Sequence, residues 1–324
     1  MNILITSASR KVSLVRAFQQ ALNQQGGGKV IAVDVSPLSP ALYLADEHYL
    51  VPRSEAKEFL PAMLRLCEQQ HISLLIPSRD EELPLFARHK RKFANIGTVV
   101  MVSDLATVET CQDKRLFIKF CRENNFTIPK SYESSNLPAD IQFPLFVKPR
   151  FGKGGRQATL ASSREELELV LTQMPEAIIQ EFITSPEYTV DLFADFSGTV
   201  ISVVPRERIY IFGGESFVSQ TSRNPVLIQE AIRLAGKLRL IGHNTIQCFL
   251  DGGVVKFIEV NPRFGGAANL SFAAGAPTPL FLVKLLQGEK LEPVIGQFKD
   301  GYVMLRYTDD LFLDQESLTG RTWS

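Results

Sequence analysis

Residues 257–266 read Phe-Ile-Glu-Val-Asn-Pro-Arg-Phe-Gly-Gly. Side chains of an extended strand point to alternate faces. Glu259, Asn261 and Arg263 are therefore expected on one face, and Ile258, Val260 and Pro262 on the other. The segment before it, Thr245 to Leu250, reads as the partner strand of a hairpin turned at Asp251–Gly253. Opposed residues of such a pair lie about 5 Å apart, so Gln247 is expected to face Glu259 or Asn261. Oxygens from a Glu, an Asn and a Gln suit a hard cation such as Mg²⁺. Arg263 at the edge suits a phosphoryl group, which its fork grips through two bonds. The competing reading is a buried Glu–Arg pair that only fixes the fold, and such pairs are weak devices for stability.

Further candidates lie upstream. In Pro-Leu-Phe-Val-Lys-Pro-Arg-Phe-Gly-Lys-Gly-Gly-Arg, residues 144–156, Lys148 ends an apolar strand just before Gly152, Gly154 and Gly155. Glycines let backbone N–H groups close on phosphate oxygens, and the lysine adds charge. The stretch is neither a Walker A loop nor a dinucleotide fingerprint. Residues 177–190 read as a strand that kinks at Thr184–Pro186 and resumes. A bent connection presents backbone groups to a nucleobase edge, and Glu187 just beyond it suits ribose hydroxyls. Lys114 opens a helix after Asp113, a position that on its own reads as a solvated face. Asp80 and Glu81 follow the strand at 72–77 at its carboxyl end, where open α/β sheets bind ligands, and suit an amine substrate. Acids also favour a helix start for its dipole alone. Arg206, Arg208 and Arg223 are unranked candidates for a substrate carboxylate.

The elements that must position these residues fall into two kinds. Up to about residue 104, apolar runs (2–6, 29–35, 72–77, 97–103) alternate with helical spacing, for example over 14–22. That alternation predicts a parallel sheet with right-handed crossovers, a Rossmann-like unit. Pro61 should disturb the helix around 55–70 or mark its start. Beyond residue 104 come one or two helices to 125, then strands at 144–150, 157–161, 177–183, 187–195 and 199–207. A helix at 163–174 is capped by Ser162 or Ser163, and an amphipathic helix at 225–241 starts on Pro225. A last helix near 279–287 and a strand over Tyr302–Tyr307 complete the reading, an α+β half after an α/β half.

The order of candidates resembles the ATP-grasp superfamily, specifically a single ATP-binding unit of the carbamoyl-phosphate synthase large subunit. Its most specific element is Gln247 with Ile-Glu-Val-Asn-Pro-Arg at 258–263. The resemblance implies a Rossmann-like pre-ATP-grasp domain over 1–104. It implies an ATP-grasp fold over 105–290, with subdomains at about 105–183 and 184–290 clasping ATP, and a C-terminal extension over 291–324. It implies that Lys114 and Lys148 contact ATP phosphates and that Gly152, Gly154 and Gly155 lie in the loop closing over them. Glu181, Phe182 and Ile183, with Gln180 just before them, would form the hinge at the adenine, and Glu187 would bind ribose. Gln247, Glu259 and Asn261 would hold Mg²⁺ or Mn²⁺, two ions being expected, and Arg263 would stabilise the transferring phosphoryl group. Departures are visible. There is one unit, not two in tandem. Lysines stand at 114 and 148 in place of arginines. Asn-Pro-Arg continues as Phe-Gly-Gly, and the nucleotide-contacting histidine has no counterpart, Phe212 being nearest. The implied activity is an ATP-dependent ligase that activates a carboxylate as an acyl phosphate for an amine or similar nucleophile. A kinase-like subunit acting on bicarbonate or carbamate with a partner, and a non-catalytic ATP-binding module, are the alternatives.

Composition bounds the rest. The 324 residues carry 35 Lys plus Arg and 35 Asp plus Glu, so no overall field favours nucleic acid or an anionic membrane. The partners expected are a small carboxylate and an amine, with a homo-oligomer possible. Cys67, Cys111, Cys121 and Cys248 form no CxxC pair and read as reduced thiols. His48, His71, His89 and His243 have no ligand spacing and are expected at or near the surface. The start of the chain reads as a strand and not a signal peptide. No apolar run reaches the roughly 18 residues of a membrane span. These features lead us to expect a cytoplasmic protein.

Overall fold

The apolar runs at the start of the chain become one parallel sheet. The computed structural model describes residues 1–134, 136–152, 157–318 and 323. Strands β1 (Asn2–Ile5), β2 (Lys29–Asp34), β3 (Glu47–Leu50), β4 (Ile72–Ile76) and β5 (Val99–Val100) lie in the order β3-β2-β1-β4-β5. Helices α1 (Val12–Gln24), α2 (Pro40–Leu44), α3 (Phe59–Gln69) and α4 (Leu83–Ala94) make the crossovers. Pro61 falls in the first turn of α3, where a missing N–H costs nothing. The strand order reverses between β1 and β4, and the crevice at their carboxyl ends faces the rest of the molecule.

Helices α5 (Leu105–Gln112) and α6 (Lys114–Glu123) lead into a four-stranded sheet. It contains β6 (Ser131–Tyr132), β7 (Leu145–Lys148), β8 (Thr159–Ala161) and β9 (Ile178–Glu181), in the order β6-β9-β7-β8, with α7 (Arg164–Gln173) alongside. Ser163 caps α7 by accepting from the Glu166 N–H. The largest sheet is antiparallel throughout, in the order β14-β13-β10-β11-β12-β15. Its strands are β10 (Glu187–Ala194), β11 (Val200–Phe212), β12 (Glu215–Thr221), β13 (Gly242–Asp251), β14 (Val254–Asn261) and β15 (Val303–Leu305). Helix α8 (Pro225–Leu238) covers one face, burying Leu227, Ala231 and Leu234 against Val190, Leu192, Ile246 and Phe257. Helices α9 (Asn269–Ala274) and α10 (Thr278–Leu286) follow the hairpin. An apolar cluster joins Phe18 and Leu22 of α1 to Phe193, Phe264 and Leu282, fixing the first sheet against the third. Among the described residues no helix is long and apolar enough to cross a membrane.

Three differences from the sequence expectation have physical causes. First, a bulge interrupts the β13–β14 ladder: Gln247 pairs with Glu259 but Cys248 pairs with Phe257, leaving Ile258 over. Val255, Phe257 and Val260 are the buried residues, so the alternation changes phase at Ile258, which does not share the core face with Val260. Second, β12 and α9 were not foreseen. The polar composition of β12 hides a strand whose support comes from β11 and β15, and α9 is too short to show a period. Third, His243 is buried, its ring stacked on Phe264 at 4.3 Å with Nδ1 3.3 Å from the Thr278 hydroxyl.

The bulge has a measurable consequence. Phe257→Ala is expected to lower stability to denaturant by about 3–5 kcal/mol, as for other fully buried aromatics. Ile258→Ala, at the unpaired position, should cost clearly less, and equal losses would contradict the phase change.

Candidate functional site

The β13–β14 hairpin brings the first group of residues together. Gln247 lies directly opposite Glu259, and Thr245 opposite Asn261. The Asn261 amide nitrogen donates to Glu259 Oε1 at 3.0 Å. Oriented by its partners, the Gln247 amide donates to the same oxygen at 2.8 Å and accepts from Arg208 Nη1 at 2.9 Å. Arg208 comes from β11 and also donates to the Glu187 carboxylate, to Gly214 O and to Ser216 Oγ. It thus ties Glu187, at the start of β10, to the hairpin. Phe212, the residue nearest the family's histidine by sequence, points elsewhere: it is exposed and packs edge-on against Phe217. Arg208 is the β11 side chain that reaches this group.

Two lysines approach from the other side. Lys148 ends β7 and is 6% exposed. Burial pushes its amine down to about 8, against the opposing pull of Glu259. Among the described residues no acceptor meets its Nζ. Lys114 is also buried and also held below its usual range, burial outweighing the attraction of Glu259 and Asp80. Its Nζ donates to Gly152 O at 2.8 Å. Asp113 explains why the two lysines meet. It caps α6 by accepting from Arg115 N, and it takes Arg150 Nε through both carboxylate oxygens at 2.9 and 3.0 Å. The start of α6 is thereby tied to the segment after β7. Burial alone would raise the Asp113 carboxyl, but Arg150 holds it below the usual range. Gly152 has φ +113°, a conformation open to glycine and strained for other residues. Gly154 and Gly155 lie outside the described residues.

The third contribution comes from the crevice of the first sheet. Asp80 stands on a single turn, Asp80–Glu82, between β4 and α4. It grips Arg263 through both oxygens, Nε to Oδ1 and Nη2 to Oδ2, each at 2.7 Å. The turn is anchored by Glu82, a buried carboxylate that accepts from the Thr6 and Ser7 hydroxyls. Burial raises its pKa, and the hydroxyls partly restore it. Glu81 pairs with Arg79 at 3.3 Å. A cavity of about 170 Å³ opens between Asp80, Glu81, Gln112, Lys114, Gly152, Glu259 and Asn261. Glu259 is the single carboxylate of the hairpin group. One carboxylate, two amide oxygens once the amides turn, and phosphate oxygens from a nucleotide form the donor set that magnesium prefers.

The remaining predicted residues are placed as follows. Gln180 is buried and donates to Ser131 Oγ at 2.8 Å. Glu181 ends β9 and pairs with Lys256 at 3.0 Å, while Phe182 after it is exposed and Ile183 half-buried. Arg206 is closed in a buried pair with Asp191 at 2.8 Å. Arg223 lies outside the group, its guanidinium on Phe298 O and over the Phe298 ring. The Asp113–Arg150 tie and the Glu82 anchor were not foreseen. Both join residues 37 to 76 positions apart, for which no local pattern exists.

Both parts of the chain resemble known proteins. Residues 3–101 match the family described as PylC-like, N-terminal domain, and residues 111–267 match the ATP-grasp domain. The carbamoyl phosphate synthase large chain of Pyrococcus furiosus is 25% identical over 300 residues. That alignment covers 84% of this chain and 28% of the relative, so this chain spans little more than a quarter of it. Among solved structures, a biotin carboxylase–beta-gamma-ATP complex from Campylobacter jejuni superposes with a TM-score of 0.72 at 19% identity. It covers 90% of this chain and 72% of that one. An L-amino acid ligase from Bacillus licheniformis superposes at 0.69 with 18% identity, over 92% of this chain and 77% of its own. The chain thus joins a PylC-like N-terminal domain over residues 3–101 to an ATP-grasp domain over residues 111–267.

Proposed function

We propose that this protein is an ATP- and magnesium-dependent ligase that activates a carboxylate as an acyl phosphate and joins it to an amine. One observation carries the reading. Two buried lysines, Lys148 and the cavity-lining Lys114, both feel the charge of Glu259, which lines the same cavity and accepts from the Asn261 and Gln247 amides. Buried cations without full counter-charge call for an anionic ligand, and a triphosphate supplies it. The relation to carbamoyl phosphate synthase and the likeness to an ATP-bound biotin carboxylase support the same assignment.

In the first step a carboxylate oxygen of the substrate attacks the γ-phosphorus. The bond to the β–γ bridging oxygen breaks and ADP leaves with the electron pair. In the second step the amine nitrogen attacks the acyl carbon, phosphate leaves, and the nitrogen loses a proton. Lys114 and Lys148 hold the phosphate oxygens, and Arg263 faces the charge that develops on the moving phosphoryl group. Glu259, Asn261 and Gln247 would hold magnesium, which when bound neutralises charge between the β- and γ-phosphates. A second ion would have to share Glu259. Residues 180–183 line the adenine and Glu187 the ribose. Asp80, already at Arg263, is the group assigned to the amine. We place the protein in the cytoplasm, in keeping with four free, buried thiols.

A second reading has its own support. The match to carbamoyl phosphate synthase allows bicarbonate as the phosphorylated substrate. ADP release with bicarbonate alone would favour it, and ADP release only with a carboxylate–amine pair would reject it.

Two outcomes test the main reading. Glu259→Ala is expected to lower ADP formation by about two orders of magnitude or more, since it removes the one charged ligand. Unchanged turnover would reject the assignment. The second concerns pH. Lys148 is depressed to about 8 from 10.5, so its charge is present below about 8 and lost above it. ATP affinity measured by calorimetry should therefore fall as pH rises through about 8. Lys148→Arg, charged at every such pH, should flatten the profile. The sign for stability is the reverse: the cost of burying this charge is paid below about 8 and relieved as pH rises toward 10.5.

A further inference from the structure

Among the described residues, β15 ends the large sheet, with β12 on one side and no strand on the other. Arg306 N donates to Phe217 O, and Thr221 N donates to Tyr302 O. Residues 302, 304 and 306 therefore face β12, while Val303, Leu305 and Tyr307 turn their N–H and C=O groups outward. An open row of this kind pairs readily with another strand, and proteins ordinarily blunt it with lysine, proline or a bulge. Residues 302–307, Tyr-Val-Met-Leu-Arg-Tyr, carry none of these. Their one charge, Arg306, is engaged by Glu215 and by Gly266 O.

The side chains of the same three residues are bare. Val303 is 47% exposed, Leu305 72% and Tyr307 82%. They alternate with Met304, which stands opposite Ser219, itself opposite Arg208. On the other face a cross-strand row runs Tyr210, Val218, Leu305. The core beneath α8 draws on β10, β11, β13 and β14 and takes no residue of β12 or β15. Of the twenty-one large apolar side chains exposed among the described residues, eight lie in the ten positions 209–212 and 302–307. Exposed apolar residues scattered singly are ordinary, but a contiguous group marks an interface. At roughly 100 Å² each, the eight offer about 800 Å², the area per partner of a standard interface.

The occupant that fits this edge is a second copy of it. Trp323 is held elsewhere, its N–H on Leu50 O and its ring 4.8 Å from Tyr49, both on the first sheet. Two copies carry no net charge to drive them apart. The edge is also complementary to itself, since outward-bonding residues pair only with outward-bonding residues. About a two-fold axis at Leu305, Leu305 meets its own copy and Val303 meets Tyr307, apolar on apolar throughout. An axis at Tyr307 would set Leu305 against Asp309, and one at Val303 would set Tyr307 against Lys299.

We propose that two copies of this chain pair through β15, antiparallel about Leu305, so that two six-stranded sheets become one of twelve strands. The inference is independent of the ligase reading. Sedimentation velocity over a range of concentrations tests it. The wild-type chain is expected at twice its own 36.2 kDa. Leu305→Asp and Leu305→Lys each set like charges face to face across the axis. Each should weaken association by roughly 100-fold or more and leave single chains. Position 305 is exposed, so both variants should keep the wild-type circular dichroism. Mixed in equal amounts, the two variants should form a dimer again, because opposite charges then meet. Val254→Asp, at an exposed apolar residue on the far edge of the sheet, should leave the wild-type dimer intact. A single chain at every concentration, an open-ended series of larger species, or a dimer that both 305 variants leave whole would overturn the proposal. So would a mixture of the two variants that stays monomeric, or a dimer lost equally on Val254→Asp.

Discussion

Two positive charges held side by side away from water are the constraint around which this molecule is arranged. Lys114 and Lys148 are both buried, and each lowers its own tendency to carry charge by being there. Neither belongs to the element that balances it. Lys148 ends a strand of the four-stranded sheet, Lys114 starts a helix, and Glu259 lies on the large sheet. The counter-charge is incomplete, because Glu259 acts on both lysines while engaged by two amides, and the other acids near them, Asp80, Asp113 and Glu187, are each paired with an arginine. Such an arrangement is uneconomical as a device for folding. It becomes reasonable as a device for gripping an anion that arrives from solution.

The first sheet enters this balance through one contact. Asp80 reaches across from the crevice at the end of β4 to hold Arg263 in a forked pair. The apolar cluster that joins α1, Phe264 and α10 keeps the two sheets at the distance this pair requires. Phe18 and Phe264 meet edge-on at 5.9 Å, one residue beyond Arg263. The packing therefore aims a charged side chain from the residue next to it. A crevice at the carboxyl end of a parallel sheet is a common place for a ligand, and here it opens onto the hairpin of another sheet.

Much of this was legible in the sequence, for a definable reason. That Gln247 and Glu259 meet across a hairpin follows from a short turn, although the turn's own register would set Gln247 opposite Ile258 and the bulge moves it to Glu259. Lys148 before a glycine is likewise a local pattern. The belonging to the ATP-grasp fold came from the order of several such patterns. What escaped depends on pairing at a distance. The bulge at Ile258 moves the core face by one residue, and nothing in Phe-Ile-Glu marks it. Arg208 could not be ranked above Arg206 or Arg223, because the difference lies in which strand each meets across the sheet. Strand β12 is polar enough to read as loop, and its place between β11 and β15 gives it order.

The same bulge divides one strand into two regions with different obligations. On the turn side, Val255 and Phe257 answer to the packing beneath α8. On the far side, Glu259 and Asn261 answer to the cavity. Because the ladder changes phase between them, the tip of the hairpin is insulated from the carboxylate. Changes in the length or sequence of the turn at 251–254 can be absorbed at the unpaired residue without rotating Glu259 out of place. An unbroken ladder between β13 and β14 would otherwise carry a one-residue slip along its whole length. Tolerance to variation at one end of the hairpin and intolerance at the other are thus built in at Ile258.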